Sequence, residues 1–184
     1  MKKLTALALM GALLSFTHNS FAADGTITFR GKIVDNSCTV QTASKSLTVQ
    51  LPTVSANLLN GVGKTTGETP FEVTLENCKA ANTNTGQTVR LYFFGGTTSA
   101  VDLNRKILNN TSNTSAASNV GIQITDSTLT PIPLGKQIGE YAATDKVALA
   151  TTGVILRYWA RYYATGTATA GNVESTVQYN IVYD

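Results

Sequence analysis

Apolar and polar residues alternate with a period of two along most of this 184-residue chain, and that pattern limits what the chain can fold into. Successive side chains of a β-strand point to opposite faces, so alternation is typical of strands with one buried face and one wet face. The apolar positions of the pattern are Ile27 and Phe29; Leu47, Val49 and Leu51; Phe71, Val73 and Leu75; Val89, Leu91 and Phe93; Val120, Ile122 and Ile124; Val154, Leu156, Tyr158, Ala160 and Tyr162; and Val173, Val177, Tyr179, Ile181 and Tyr183. Turn-rich segments separate these runs, and only residues 53–59 could form a helical turn. We therefore predict an all-β antiparallel sandwich or barrel.

The N-terminal residues have the pattern of a cleaved secretory signal. A basic start precedes the apolar run 4–16, and the small residues Ser20 and Ala22 lie where a signal peptidase would cut. The apolar run is shorter than the roughly 20 residues that a membrane-spanning helix needs. We expect residues 1–22 to be removed and residues 23–184 to form a single exported domain.

The two cysteines, Cys38 and Cys78, predict a disulfide, because an even number of cysteines in an exported chain meets an oxidising environment. Closing a loop of this length removes unfolded-chain entropy worth roughly 4 kcal/mol. The rival interpretation, a metal site, lacks both Cys-x-x-Cys spacing and a histidine ligand. We expect no metal and no other cofactor.

Charge and residue usage exclude several classes of function. After cleavage the 14 basic residues fall to 12, against 11 acidic ones, and the single histidine, His18, is lost. A nearly neutral chain does not match a nucleic-acid partner, which requires phosphate neutralisation. A chain without histidine cannot build Ser-His-Asp or Cys-His chemistry. Residues 61–65 resemble part of a phosphate-binding loop, but Leu58 stands where that motif needs glycine, so we predict a surface loop and no enzyme.

Two groups of polar side chains fall on predicted strands and could contact a ligand. Glu68, Glu72 and Glu76 interleave with apolar residues, which favours a solvated strand face. The other group comprises Arg157, Trp159, Arg161 and Tyr163, on one side of a later strand. That row could be a cation-π or carbohydrate platform, or it could cover the outer surface or pack at a subunit contact.

Several segments occur in an order and spacing that are specific in combination. They are Thr26-Ile27-Thr28-Phe29-Arg30-Gly31, Ile33-Val34-Asp35-Asn36-Ser37-Cys38, Cys78, Asn119-Val120-Gly121-Ile122-Gln123-Ile124, Ala160-Arg161-Tyr162-Tyr163-Ala164-Thr165-Gly166, Gly171 and Tyr183. In these features the chain resembles the structural pilins of the chaperone–usher pathway, particularly the major subunits of type 1 fimbriae. The resemblance covers essentially all of residues 23–184.

The resemblance implies an immunoglobulin-like β-sandwich that lacks its last strand and leaves an apolar groove beside the C-terminal strand. In similar pilins a periplasmic chaperone fills the groove first, and the N-terminal strand of a neighbouring subunit then replaces it. The expected partners are therefore copies of this chain or other pilins of the same fibre, a periplasmic chaperone and an outer-membrane usher. The expected route leads through the periplasm to a fimbrium on the cell surface, and the function is structural, in support of adhesion.

By the same resemblance, residues 23–31 would be the donor strand. Ile27 and Phe29 would fill the groove, Gly25 would pass a narrow point, and Ala23 and Gly31 would occupy the ends. The acceptor groove and chaperone contact would comprise Gly171, Val177, Tyr179, Ile181, Tyr183 and Asp184.

One departure from the family pattern concerns the start of the donor strand. In similar major subunits several residues precede the glycine, whereas only Ala23 and Asp24 precede Gly25 here. A minor subunit is therefore an alternative to a major one. A further alternative from a different class is a self-contained secreted carbohydrate-binding module that uses the face from Arg157 to Tyr163.

Overall fold

The structure, a computed structural model, describes residues 27–29, 31, 33, 37–79, 86–95, 101–135 and 145–184. It divides the chain into residues 1–33 and a compact body formed by residues 34–184. In the first unit the described residues belong to no strand or helix, and the side chains of Ile27, Phe29 and Ile33 are 80%, 89% and 100% exposed. The predicted signal and the first donor residues, Ala23 and Gly25, lie outside the described residues.

Within the body, the described strands form two antiparallel sheets. The strands are β1 (Ser37–Val40), β2 (Thr65–Lys79), β3 (Thr88–Gly95), β4 (Val101–Asp102), β5 (Ile107–Asn109), β6 (Val120–Thr125), β7 (Val147–Ala148), β8 (Val154–Ala164) and β9 (Val177–Tyr183). The larger sheet has the order β1-β2-β8-β6-β5-β4, and the smaller has the order β7-β3-β9. This arrangement is an immunoglobulin-like β-sandwich and confirms the all-β prediction.

Two short helical segments lie between β1 and β2. They are α1 (Thr42–Lys45) and a 3₁₀ turn (Ala56–Leu59), and the second lies within the segment that the sequence predicted to be capable of a helical turn. In the described part of the chain, no helix has the length and apolar character needed to cross a membrane.

The core forms where the alternating apolar faces of the two sheets meet. Val73 of β2 lies opposite Leu156 of β8, and both side chains are buried. From the other sheet, Phe93 packs edge-on against Tyr158, with ring centroids 5.0 Å apart. Burying each side chain of this size stabilises the fold by roughly 1.5–3 kcal/mol. The alternation read from the sequence therefore identifies the faces that form the core.

The predicted disulfide between Cys38 and Cys78 is present and links β1 to β2. The two strands also pair directly, with an irregularity between Ser37 and Thr39. The backbone N–H of Cys38 donates a 2.6 Å hydrogen bond to the hydroxyl oxygen of Tyr183 on β9. The disulfide thus lies where β1 contacts both sheets.

Two predicted strands differ in the structure. Leu47 to Leu51 is not part of a sheet, and β9 begins at Val177 rather than at Val173. The alternation of burial is nevertheless present, because Val49 and Leu51 are half-buried on either side of an exposed Gln50. Alternation reports which side chains are buried, whereas a strand also requires a neighbouring backbone to bond with. These residues alternate in burial as strand residues do, but they do not form the backbone hydrogen bonds that join paired strands.

A buried polar group lies at the end of the smaller sheet. The guanidinium of Arg90 is almost fully buried and pairs with the carboxylate of Asp184 at 3.0 Å. Nearby, the Tyr158 hydroxyl accepts a bond from the backbone N–H of Leu91 at 3.1 Å and donates one to the carboxylate of Asp145 at 2.9 Å. Burial raises the pKa of Asp145 above its ordinary value, although the bond from Tyr158 opposes this change.

We expect the Asp145→Asn variant to lose part of the pH dependence of folding stability. Because the pKa of Asp145 is raised in the folded state, the folded protein holds this proton more tightly than the unfolded chain does. Its contribution to stability is therefore fully present below the ordinary pKa of aspartate, and is lost as pH rises through the higher folded pKa. Urea unfolding measured between acid and neutral pH should show that the free energy of unfolding falls less steeply with rising pH in the variant than in the wild type.

A surface carboxylate provides the control. Hydrogen bonds from the backbone and side chain of Arg105 lower the pKa of Asp102, so its contribution is present above the ordinary pKa and lost as pH falls. Asp102→Asn should therefore remove a rise of the free energy of unfolding with pH, which is opposite in sign to the fall expected from Asp145. Equal effects of the two substitutions would contradict the assignment to Asp145.

Candidate functional site

Two adjoining clefts run along the open side of the sandwich. The first has a volume of about 360 Å³ and the second about 470 Å³. Both lie between the extended segment that follows α1 and the segment that leads into β9, and four residues line both of them: Gln50, Leu51, Tyr162 and Val173. We call the two clefts together the groove.

The groove is lined by apolar side chains together with polar side chains and backbone groups. The first cleft is walled in part by Val54, Leu59, Ala117, Val120, Ala168 and Gly171. The second is walled in part by Val49, Phe71, Leu108, Ile124, Ala160 and Val177. Several of these side chains belong to the buried core clusters, so the floor of the groove is the core itself. A ligand in the groove would therefore cover apolar surface that the body leaves open.

Backbone on both sides of the second cleft has a free edge. Among the described residues, β9 pairs with β3 on one side and with no strand on the other. Across the groove, residues 47–54 make no backbone–backbone hydrogen bond with any other described residue. A sheet edge with open N–H and C=O groups beside an apolar surface is a site where another strand can pair.

Tyr162 is one of the residues that line both clefts. Its hydroxyl donates a 3.2 Å hydrogen bond to the backbone oxygen of Pro52. Burial raises the pKa of Tyr162, so the hydroxyl remains a proton donor at neutral pH. Gly67 allows this packing, because a Cβ there would lie 3.0 Å from the ring and its φ is +77°.

The predicted acceptor residues divide into two groups. Gly171 lines the first cleft and Val177 lines the second. Gly171 lies directly against the backbone of residues 115–117, and a Cβ at this position would come within 2.5 Å of the Ser115 oxygen. No larger residue fits there without moving that backbone.

The other predicted acceptor residues line neither cleft. Tyr179, Ile181 and Tyr183 pack against the main core cluster and are half-buried. The Tyr179 hydroxyl donates a 2.8 Å hydrogen bond to the backbone oxygen of Ser44, and burial raises its pKa. The Asp184 carboxylate lies 3.0 Å from the guanidinium of Arg90 and 3.4 Å from the ammonium of Lys146. This half of β9 is therefore tied to other parts of the body.

Of the predicted donor residues, the structure describes Ile27, Phe29 and Gly31. The side chains of Ile27 and Phe29 are largely exposed. A Cβ built at Gly31 would have no atom within 4 Å. Ile27 and Phe29 thus present exposed apolar side chains.

The row of polar and aromatic side chains on β8 lies on the solvent side of the larger sheet. Its two arginines already form hydrogen bonds and ion pairs with neighbouring side chains. Arg157 donates to the carboxylate of Glu72 at 2.7 Å. Arg161 donates twice to the side-chain oxygen of Gln123, at 3.0 and 2.8 Å, and lies 3.9 Å from the carboxylate of Glu68. Within the described residues no cluster of side chains suits a metal ion.

Sequence reasoning missed one rim and the floor of the groove. The missed residues are Val49, Gln50, Leu51 and Val54 on the rim, and Leu108, Ile124, Ala160 and Tyr162 on the floor. The alternation from Leu47 to Leu51 was a usable signal, but it was interpreted as an ordinary paired strand. Which floor residues meet depends on the packing of β5, β6 and β8.

The sequence profile of the family described as fimbrial protein matches residues 27–184. The chain belongs to the fimbrial protein family. It is 45% identical over 177 residues to the F17 fimbrial protein of Escherichia coli, covering 95% of this chain and 96% of that one. It is 42% identical to the major fimbrial subunit SMF-1 of Stenotrophomonas maltophilia, covering 89% and 94% of the two chains.

Its fold is similar to that of a subunit in a solved chaperone–usher pilus. The TM-score is 0.60 at 20% identity, and the likeness covers 88% of this chain and 96% of that one. As a fimbrial protein, the chain is a structural pilus subunit and not an enzyme. It belongs in a surface fimbrium, where it assembles into fibres with other pilins.

Proposed function

We propose that this fimbrial protein polymerises by donor-strand exchange, in which residues 23–31 of one copy enter the groove of the next. The observation that carries the proposal is a groove whose floor is formed by core side chains and whose second cleft has a free backbone edge on both sides. A strand placed between β9 and residues 47–54 would bond to both edges and cover the core beneath. Donor-strand exchange supplies such a strand from a sister molecule.

The donor segment has the chemistry that the groove requires. Ile27 and Phe29 are large, apolar and exposed, and each would contribute roughly 1.5–3 kcal/mol when buried. Each main-chain hydrogen bond to a rim would add roughly 0.5–1.5 kcal/mol. Many small terms along a nine-residue strand would therefore make a strong joint, with Ala23 and Gly31 at its ends and Gly25 at a narrow point.

We assign the acceptor role to Gly171 and Val177, which border the groove, and to Tyr179, Ile181 and Tyr183, which continue the same strand. Asp184 would take part in the contact with a chaperone. Because its carboxylate already pairs with Arg90 and Lys146, that contact would compete with an existing ion pair.

We further propose that the chain is exported with residues 1–22 as a cleaved signal, is held by a periplasmic chaperone, and reaches the surface through an outer-membrane usher. The basic start and apolar run at the N-terminus support export. The family profile begins at residue 27, and the similar solved structure is a chaperone–usher pilus. Residues 23–184 would then form the single domain of the secreted subunit.

The groove is tested by placing a charge in it. We expect Val177→Arg to reduce surface polymer at least tenfold, because an unpaired guanidinium in the second cleft would oppose entry of an apolar strand. Unboiled surface extracts run on a denaturing gel should show a ladder of multiples for the wild type and mainly single subunits for the variant.

Gln178→Arg is the matched control. Gln178 is the next residue on β9 and is exposed on the opposite face, so it carries the same new charge away from the groove. Its ladder should match that of the wild type. A normal ladder from Val177→Arg, or equal losses from the two variants, would count against strand entry at this groove.

A further inference from the structure

The side-chain amide of Asn110 joins a loop to the rim of the groove. Its Nδ2 donates hydrogen bonds to the backbone oxygens of Ala117 at 2.8 Å and Asn172 at 2.9 Å. Its Oδ1 accepts from the backbone N–H groups of Ser112 at 3.1 Å and Glu174 at 3.0 Å. Both donors and both acceptor positions of the amide are therefore used. Two of these bonds stay within the loop, and two cross to the rim.

Backbone hydrogen bonds reinforce the same connection. Thr111 N–H donates to the Glu174 oxygen at 2.8 Å, Asn172 N–H donates to the Ser115 oxygen at 2.8 Å, and Ala117 N–H donates to the Asn172 oxygen at 2.9 Å. The bonds connect the loop, residues 110–117, to the rim segment, residues 171–174. The rim segment precedes β9 and belongs to none of the described strands, and its β-type pairing is limited to a bridge between Asn172 and Ala116.

The position of the rim segment sets the width of the groove. Gly171, Asn172 and Val173 line the first cleft, and Val173 and Glu174 line the second. Val54 and Leu59 also line the first cleft, so a rim segment that moved toward them would narrow it. The bonds from Asn110 tie the rim segment to the loop, whose last residue, Ala117, lines the same cleft.

We propose that Asn110 is a positioning residue for subunit assembly, which holds the rim segment so that the groove stays open to an incoming strand. The proposal rests on the donor-strand function proposed above and adds a residue that lines neither cleft. Asn110 acts through Asn172 and Glu174, whose backbone it holds, and not by touching the donor strand.

Asn110→Asp is the most selective substitution. Aspartate has nearly the same shape and keeps the acceptor for Ser112 and Glu174, but it places a carboxylate oxygen against the backbone oxygens of Ala117 and Asn172. Both donated bonds are lost and replaced by repulsion. The loop would remain attached to Glu174, while Asn172 would keep only its backbone bonds to Ser115 and Ala117 and its side-chain bond to the Thr114 oxygen.

The test measures uptake of a fluorescent peptide with the sequence of residues 23–31 by the full exported chain, kept dilute so that self-assembly is slow. We expect Asn110→Asp to slow uptake about tenfold relative to wild type. Two shorter peptides, residues 23–28 and 26–31, are measured in the same way. One of the two shorter peptides no longer reaches the rim segment, and it should enter the wild type and the Asn110→Asp variant at equal rates. The other shorter peptide should still enter the variant more slowly than the wild type.

Asp126→Asn controls for simple loss of stability. Asp126 accepts bonds from the Thr128 N–H at 2.8 Å and the Thr130 N–H at 2.9 Å, so it secures a turn in a similar way, but it lines neither cleft. At a matched drop in unfolding temperature it should leave uptake unchanged. Equal slowing by both variants, or equal slowing of all three peptides by Asn110→Asp, would overturn the positioning role.

If Asn110→Asp does not fold, Thr111→Val takes its place. That substitution removes only the 3.1 Å bond from Oγ1 to the Glu174 oxygen, and it should give the same peptide pattern with a smaller effect. If the variants take up the peptide of residues 23–31 at the wild-type rate, the positioning role of Asn110 is refuted. Donor-strand exchange is not refuted by that result. Failure of the wild type itself to take up any peptide would refute donor-strand exchange, and the positioning role with it.

Discussion

Replacing Ile27 and Phe29 together by aspartate should abolish polymerisation while leaving the amount of folded subunit unchanged. Both side chains are largely exposed in the subunit, so the substitution removes little buried apolar surface. In the joint each would contribute roughly 1.5–3 kcal/mol, and two buried carboxylates would add a further penalty. The joint should therefore weaken by at least a factor of about a hundred. The gel ladder of unboiled surface extracts measures this loss directly.

The neighbouring threonines provide a control with the same added charge. Thr26 and Thr28 alternate with the apolar pair in sequence, so the doubly substituted Thr26→Asp, Thr28→Asp chain carries two new carboxylates on the wet edge of the strand. It should still form a ladder. Normal fibres from the Ile27, Phe29 variant would remove these residues from the donor role.

Mixing the donor variant with the groove variant separates the two halves of the joint. A chain with aspartate at 27 and 29 keeps an intact groove, and a chain with Val177→Arg keeps an intact donor strand. Neither should polymerise alone. Coexpressed, they should form pairs and stop there, because one partner cannot donate and the other cannot accept. Long ladders from the mixture would contradict the proposed roles.

Replacing both Cys38 and Cys78 by serine should lower the free energy of unfolding by about 2–5 kcal/mol and sharply reduce the yield of folded subunit. The disulfide links β1 to β2, and the backbone of Cys38 also bonds to the Tyr183 hydroxyl on β9. A subunit with an open groove has less buried surface than a closed sandwich, so its free energy of unfolding is smaller. The loss of the disulfide is therefore a larger fraction of that free energy. Urea unfolding of the purified subunit measures it.

The double substitution avoids a free thiol that could pair wrongly. Wild-type subunit unfolded with and without a reducing agent is the matched comparison, since it changes only the covalent link. The reduced wild type and the double variant should unfold at similar urea concentrations. An unchanged midpoint in both would show that β1 and β2 are held by their pairing alone.

Alternation of residue types was sufficient to predict much of the fold. Val73, Leu156 and Phe93 were predicted on apolar strand faces and are core residues, and the predicted disulfide is present. The short strands β4, β5 and β7 were not predicted, because two or three residues are too few to display a period.

The groove was only partly predictable. Val177 and Gly171 were selected from the resemblance to pilins and line the clefts. The sequence does not point to Asn110, because its proposed role depends on bonds to residues 172 and 174, which are distant in sequence. An asparagine in a polar loop has no sequence feature that reveals such partners.

The order of its residues alone indicates which side chains of this protein prefer to be buried. It also indicates that the two cysteines can pair and that an apolar segment precedes the body. The folded chain adds how the two sheets meet, where the groove opens and what holds its rim. Burial preference is a property of each residue and its immediate neighbours, whereas a groove exists only between segments brought together by packing. Leu47 to Leu51 shows the difference: its alternation was visible in advance, but its lack of a backbone partner appears only in three dimensions.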